Sequence, residues 1–155
     1  MAPPNSFAML KDLAEKRRDA CTLRLGKALA ATQESKARLQ LLLDYRTDYQ
    51  GRLERAAHGG IKGEQLRNYQ SFLANLERAV EQQTNTVAVL EEDVLRVRGE
   101  IAIEQRQIDS YAVLLRRRKK TEAQRETRNQ QTLHDEFASH SVIRLASQRD
   151  RGGDD

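Results

Sequence analysis

The sequence predicts an all-α protein, a long antiparallel two-helix coiled-coil hairpin whose second helix overhangs the first and ends in a flexible C-terminal tail. After Pro4 the chain contains no proline, and a cluster of Gly59, Gly60 and Gly63 separates two long stretches. Apolar residues in both stretches follow a heptad repeat, which is typical of coiled-coil helices. Subtracting the seam positions of the first stretch from 122 gives those of the second. A chain that folds back at the glycines therefore brings the two seams face to face.

The first helix is predicted over about residues 5–57. Asn5 or Ser6 follows the N-terminal prolines and can cap the first free amides of the helix. Gly59 can adopt the left-handed conformation that commonly ends helices. Residues 58–63 are then expected to form the turn of the hairpin.

The second helix is predicted over about residues 64–138. Its heptad pattern weakens after Leu115, where the 122 rule leaves it without a partner in the first helix. Residues 139–155 are polar, end in two glycines and two aspartates, and are expected to be a disordered tail. We therefore expect residues 1–138 to form a single hairpin domain.

The 122 rule also predicts which side chains meet across the seam. Each a position of one helix faces a d position of the other, as expected when one of two paired helices is reversed. Small residues oppose large ones, which keeps the packing density even along the seam. The rule pairs Ala28 with Val94, Ser35 with Val87, Arg18 with Glu104, Arg46 with Leu76, and Phe7 with Leu115.

Composition agrees with long solvated helices. Apolar residues make up 38% of the chain, charged residues 32%, and mean hydropathy is −0.79. No apolar stretch approaches the roughly 18 residues that span a bilayer, and the N-terminus lacks the pattern of a signal peptide. A single cysteine fits a reducing compartment. We therefore expect a cytoplasmic protein.

The net charge of +4 comes from one segment. Residues 116–128 hold seven Lys/Arg and two Glu, and the rest of the chain is nearly neutral. The sharpest part is a basic run: Arg116, Arg117, Arg118, Lys119 and Lys120. Such a run contacts a protein or membrane surface, or simply keeps an unpaired helix soluble. No aromatic residues are interleaved for base stacking, so nucleic acid is not the expected partner.

The sequence gives no sign of catalytic or metal-binding chemistry. Cys21 falls on the seam opposite Ile101, where packing explains it, and no two of the three histidines share a helical face. No nucleotide-binding loop or catalytic triad is present, and the acidic residues are scattered among basic ones. We expect neither an enzyme nor a cofactor or metal site.

Phe72 is the most informative side chain outside the seam. It falls beside the seam near the hairpin turn and forms with Leu76 and Ala79 a short strip of apolar residues, called here the apolar strip. Two interpretations remain open at this point. Phe72 widens the seam by covering Tyr49, or it is an exposed contact for a partner protein.

Four segments of the sequence resemble the flagellar export protein family FliJ. The most recognisable is N-Y-Q-S-F-L-A-N-L-E-R-A at residues 68–79. The others are L-K-D-L-A-E-K at 10–16, L-D-Y with the later Y-Q at 43–50, and D-E-F-A at 135–138. The four segments occur in order around a glycine turn and span nearly the whole chain.

The resemblance implies a cytoplasmic, non-enzymatic component of the flagellar type III export apparatus, at the cytoplasmic face of the inner membrane. Members of this family are stalk-like coiled coils that bind the hexameric export ATPase FliI and the export gate protein FlhA. FliH and the escort chaperones of filament-type substrates are further partners of such proteins. On matching positions, the gate contact is Phe72, Leu76 and Ala79; Gln83 stands where some relatives have histidine. The 122 rule places Leu76 opposite Arg46, which makes a poor core layer, so we expect Leu76 to face outward.

A further hypothesis concerns the opposite end of the hairpin, where the basic run would meet acidic surfaces of the ATPase ring. Two alternatives to a flagellar role remain open. One is the equivalent stalk of a virulence type III secretion system. The other is a generic coiled-coil scaffold, or a nucleic-acid-binding coiled coil, with an accidental likeness to the family.

Overall fold

The computed structural model describes residues 6–152. Helix α1 spans Ser6–His58 and helix α2 spans Glu64–Arg151, and no strand occurs among the described residues. The predicted cap at Asn5 and the last three residues of the expected tail lie outside this range. The all-α fold with two long helices packed on each other is confirmed.

A glycine-dependent cap ends α1. The amide of Ile61 donates to the carbonyl of Ala56 at 3.1 Å, and that of Gly60 donates to Ala57 at 3.2 Å. These two bonds are those of a Schellman motif, which needs a left-handed residue just past the helix end. Gly60 fills that position with φ of 86°. The expectation that Gly59 would do so is wrong by one residue, because the amide of Gly59 still bonds to Arg55 in the helical manner.

A second glycine begins α2. The carbonyl of Gly63 accepts the amide of Arg67 at 3.1 Å, which makes it the N-cap residue. Its φ of 75° is one that residues with a side chain rarely adopt. Gly60 and Gly63 thus set how the chain leaves one helix and enters the next.

Residues Leu13–Arg106 form one of two compact units, and within it α1 and α2 pack antiparallel. Its buried side chains are small or β-branched, apart from Leu76: Ala14, Cys21, Ala28, Thr32, Ser35, Leu76, Val80, Val87, Val94 and Val97. Polar groups at the seam find partners, since the Thr32 hydroxyl donates to the Ala28 carbonyl at 2.8 Å. The Gln83 amide donates to the Ser35 carbonyl at 3.0 Å. The seam is therefore narrow, and Thr32 and Gln83 find hydrogen-bond partners in it. The buried Oε2 of Glu104, by contrast, has an ion pair with Arg17 but no hydrogen bond.

Ion pairs and an aromatic ring contact between α1 and α2 show which residues of the two helices lie opposite each other. Four of these contacts have residue numbers that add to within two of 122, close to the sequence rule: Arg17–Glu104, Arg24–Glu100, Arg46–Glu77 and Tyr49–Phe72. The numbers of a fifth pair, Lys36–Glu91, add to 127, so its side chains reach further along the partner helix. One predicted pair is wrong by a residue. Glu104 pairs with Arg17 at 3.4 Å, and Arg18 donates instead to Gln105 at 3.3 Å. Long arginine side chains can reach acceptors one residue away from the predicted one. The 122 rule therefore predicts which layers of the two helices meet more accurately than it predicts the exact partner of an arginine.

The described part of the other unit comprises residues 6–12 and 107–152. Ile108 is buried there, and Phe7, Tyr111 and Leu115 are half-buried. From residue 119 to 151 every residue is exposed, and we call this stretch the terminal segment.

The prediction that α2 ends near residue 138 is wrong, because the helix continues to Arg151. No glycine or proline occurs between Gly99 and Gly152, so nothing local ends the helix near residue 138. The extent of a single domain over 1–138 stays a prediction.

Replacing Val97 by alanine tests the seam. Val97 is 3% exposed, so Val97→Ala is expected to lower the free energy of unfolding by about 2 kcal/mol through lost apolar burial and a cavity. Val89 lies on the same helix and is 64% exposed, so Val89→Ala is the matched control, with an expected change below about 0.5 kcal/mol. Urea unfolding followed by circular dichroism measures both. Equal effects of the two variants would contradict the assigned seam.

Candidate functional site

The apolar strip divides between surface and core. Phe72 is 43% exposed and Ala79 is half-buried, but Leu76 is only 7% exposed. The expectation that Leu76 faces outward opposite Arg46 is therefore wrong. The Arg46 guanidinium reaches Glu77 at 3.5 Å, so only its aliphatic stem needs to share the layer with Leu76. Phe72 and Ala79 form the accessible part of the strip, and Leu76 supports them from the seam.

Phe72 lies against an aromatic cluster. Its ring centre is 4.2 Å from that of Tyr49, at an interplanar angle of 30°. Tyr69 lies 6.4 Å from Tyr49, and the guanidinium carbon of Arg52 lies 5.3 Å from the Tyr49 ring centre. Phe72 thus covers Tyr49 while leaving a large part of its own ring in solvent. Phe72 therefore widens the seam over Tyr49, as the first interpretation holds, and its contact with a partner protein stays a prediction.

Next to Phe72 the structure shows a groove that the sequence analysis missed. This tip groove has a volume of about 430 Å³ and is built from both helices and the turn. Its walls are Tyr49, Arg52, Ile61, Gln65, Asn68, Tyr69 and Phe72. Three of the seven aromatic residues of the chain fall within residues 49–72, and this concentration is the signal that could have indicated the groove.

The basic run lies in the other unit and is largely open to solvent. Arg116, Arg117, Lys119 and Lys120 are exposed, and Arg118 is half-buried with its Nε 3.8 Å from Glu122. Consecutive residues of an α-helix are about 100° apart, so these five side chains surround the helix axis. The run presents positive charge in all directions around α2.

Cys21 sits in a small polar contact at the seam. It is 8% exposed, and its sulfur is 3.2 Å from a guanidinium nitrogen of Arg24, which also pairs with Glu100. The hydrogen bond to Cys21, and then the bond and charge of Glu100, raise the pKa of Arg24 above its ordinary value. Arg24 is therefore positively charged at any physiological pH, and the contact links the two helices.

Two further features of the described residues concern metal sites and membrane-spanning helices. Within residues 6–152 no group of three His, Cys, Asp or Glu side chains is arranged to hold a metal ion. Neither described helix is apolar enough over a sufficient length to cross a membrane.

Comparison with known proteins identifies the family. The family model described as Flagellar FliJ protein matches residues 4–147. The chain belongs to the FliJ family. Proteins named Flagellar FliJ protein from Salmonella typhi and from Escherichia coli K12 are each 28% identical over 144 residues, covering 93% of this chain and 98% of theirs. No solved structure matches the chain.

Membership in the FliJ family makes the chain a component of the flagellar protein export apparatus, with a role in protein transport and motility. The matched residues include the apolar strip, all seven residues of the tip groove and the basic run. Both relatives carry a flagellar name, which favours the flagellar interpretation over a virulence secretion system.

Proposed function

We propose that this FliJ-family chain is a non-enzymatic, stalk-like coiled coil that binds two parts of the flagellar export apparatus. One partner is the export gate protein FlhA, and the other is the hexameric ATPase FliI. Through these partners the protein works at the cytoplasmic face of the inner membrane and assists the delivery of substrates and their escort chaperones. FliH and those chaperones are its further partners.

The exposed ring of Phe72 is the single observation that best supports the gate contact. A phenyl side chain that is 43% exposed on a highly charged coiled coil is costly to leave in water and efficient to bury in a partner. Ala79 extends the accessible surface along α2, and Leu76 holds the backbone beneath it. We assign the direct gate contact to Phe72 and Ala79, with Leu76 supporting them from the seam.

The basic run supports the ATPase contact through its charge. Four of its five side chains are exposed, and the terminal segment that begins within it has no buried residue. Because the cations surround the helix axis, they suit an acidic surface that encloses the helix. We assign the ATPase contact to Arg116, Arg117, Arg118, Lys119 and Lys120.

Binding of the purified full chain to each purified partner tests the proposed function. Isothermal titration calorimetry with the cytoplasmic domain of FlhA, and a steady-state ATPase assay with FliI, measure the two contacts separately. We expect saturable gate binding and an increase in the rate of ATP hydrolysis. Absence of both effects with a fully helical protein would contradict the proposal.

A further inference from the structure

The tip groove combines three kinds of group that converge from three elements of the fold. Tyr49 and Arg52 come from α1, Ile61 from the turn, and the other four walls from α2. All seven lie in the unit Leu13–Arg106, whose helices are held in register by the seam and its ion pairs. A concave surface with a few convergent polar groups is the usual form of a binding site.

Apolar walls give the groove an anchor position. The Tyr49 ring centre lies 4.2 Å from that of Phe72 and 5.3 Å from the Arg52 guanidinium carbon, so two neighbours hold the orientation of the ring. Tyr69 and Ile61, both half-buried, complete the apolar surface. Side chains that are already held in place lose little entropy when a ligand binds. An aliphatic or aromatic side chain of a partner can therefore be buried here at low cost.

Two amide side chains on the α2 wall point to a peptide backbone as ligand. Gln65 and Asn68 are three residues apart and so lie on the same side of the helix. Both are exposed, and neither hydrogen-bonds to another residue in the described part of the chain. A carboxamide donates through its nitrogen and accepts through its oxygen, as a peptide group does. These amides are thus free to pair with the main chain of a segment lying in the groove.

Positive charge at the rim selects an acidic ligand. The Arg52 guanidinium pairs with Asp48 at 3.1 Å, which holds the side chain over Tyr49 but occupies only part of its five N–H donors. With Asp48 included, residues 48–72 contain four Lys/Arg and three Asp/Glu, a local excess of one positive charge. A carboxylate next to the anchor side chain would take up the remaining donors of Arg52.

We propose that the tip groove receives a segment of the export gate in which an aliphatic or aromatic side chain stands beside a carboxylate. The anchor packs on Tyr49, Tyr69 and Ile61, the carboxylate pairs with Arg52, and the main chain bonds to Gln65 and Asn68. This rests on the proposed function for the identity of the partner. It extends the contact from the α2 strip across the turn to α1, and it gives the turn region a direct part in binding.

Calorimetric titration of the full chain with the cytoplasmic domain of FlhA tests the groove. Arg52→Gln is expected to weaken binding about tenfold and to reduce its dependence on salt, because a charge-assisted hydrogen bond is lost. Asn68→Ala is expected to weaken binding about fivefold.

Two control variants change the same residue types away from the groove. Arg38→Gln removes an exposed i,i+4 pair with Glu34 at 2.8 Å, comparable to the pair that Arg52 makes with Asp48. Asn85→Ala changes an exposed asparagine on the same helix as Asn68. Both controls are expected to bind like the wild type.

A fifth variant, Ala79→Arg, separates the groove from the apolar strip. If it abolishes binding while Arg52→Gln and Asn68→Ala bind like their controls, the groove proposal is overturned and the gate contact stands. If the wild type does not bind the gate domain, the gate contact and the groove proposal both fall. Circular dichroism on each variant establishes that helicity is unchanged.

Discussion

Phe72→Ala is expected to weaken binding to the cytoplasmic domain of FlhA about thirtyfold or more, with little effect on folding. Truncating a central aromatic anchor typically costs about 2 kcal/mol or more of binding free energy, which corresponds to that factor. The ring is 43% exposed in the free protein, so most of its burial would come from the partner. Calorimetry measures the affinity, and thermal unfolding measures the stability.

The expected stability change of Phe72→Ala is small but not zero. The ring contacts Tyr49 at 4.2 Å, and losing an aromatic pair costs about 1 kcal/mol. Phe137→Ala is a matched control, because Phe137 is 78% exposed and lies far along α2 from the assigned gate contact. Collapse of the melting transition in Phe72→Ala would show that the ring is mainly a core residue. Unchanged gate affinity in a folded variant would equally contradict its assigned role.

Reversing the charge of the basic run is expected to remove most of the stimulation of FliI. Changing Arg116, Arg117, Arg118, Lys119 and Lys120 to glutamate places negative charge where an acidic surface is proposed, and such like-charge contacts cost several kcal/mol. Steady-state ATP hydrolysis at increasing concentrations of the variant measures the effect. Gate binding is expected to be unchanged, because that contact is assigned to residues 72–79.

A charge-preserving exchange controls for the shape of the basic run. In that control each of the three arginines becomes lysine and each of the two lysines becomes arginine. It should stimulate FliI like the wild type, with stimulation that declines as salt is raised. Reversed charges also remove the contact of Arg118 with Glu122, so helicity must be compared in both variants. Full stimulation by a helical, charge-reversed protein would show that the run does not contact the ATPase.

The hairpin could be predicted from sequence because its register depends on a one-dimensional pattern. A heptad repeat and a turn are enough to fix which layers meet, and the residue numbers of the contacts Arg24–Glu100 and Arg46–Glu77 add to within two of 122. Details within a layer depend on side-chain reach, which is why Glu104 pairs with Arg17 and not with Arg18. The predicted end of α2 is wrong because a polar composition does not by itself end a helix, and no glycine or proline lies between Gly99 and Gly152.

The candidate site was only partly predictable for a related reason. The position of Phe72 beside the seam correctly indicated a partly covered ring. The burial of Leu76 was not predicted, because the 122 rule places it opposite the charged residue Arg46. In the structure the Arg46 guanidinium pairs with Glu77, so its charge lies outside the layer that Leu76 occupies. The tip groove was missed because its concavity requires α1, the turn and α2 together, and no local pattern records the space between them.

Deletion of the gene for this chain from its source organism tests the central claim most directly. The measurement is the amount of flagellar filament protein secreted into the medium, with wild-type and Phe72→Ala genes returned on a plasmid. We expect secretion to fall strongly on deletion, to recover with the wild-type gene, and to stay low with Phe72→Ala at equal protein levels. Normal secretion by the deletion strain would contradict a role for this protein in flagellar export.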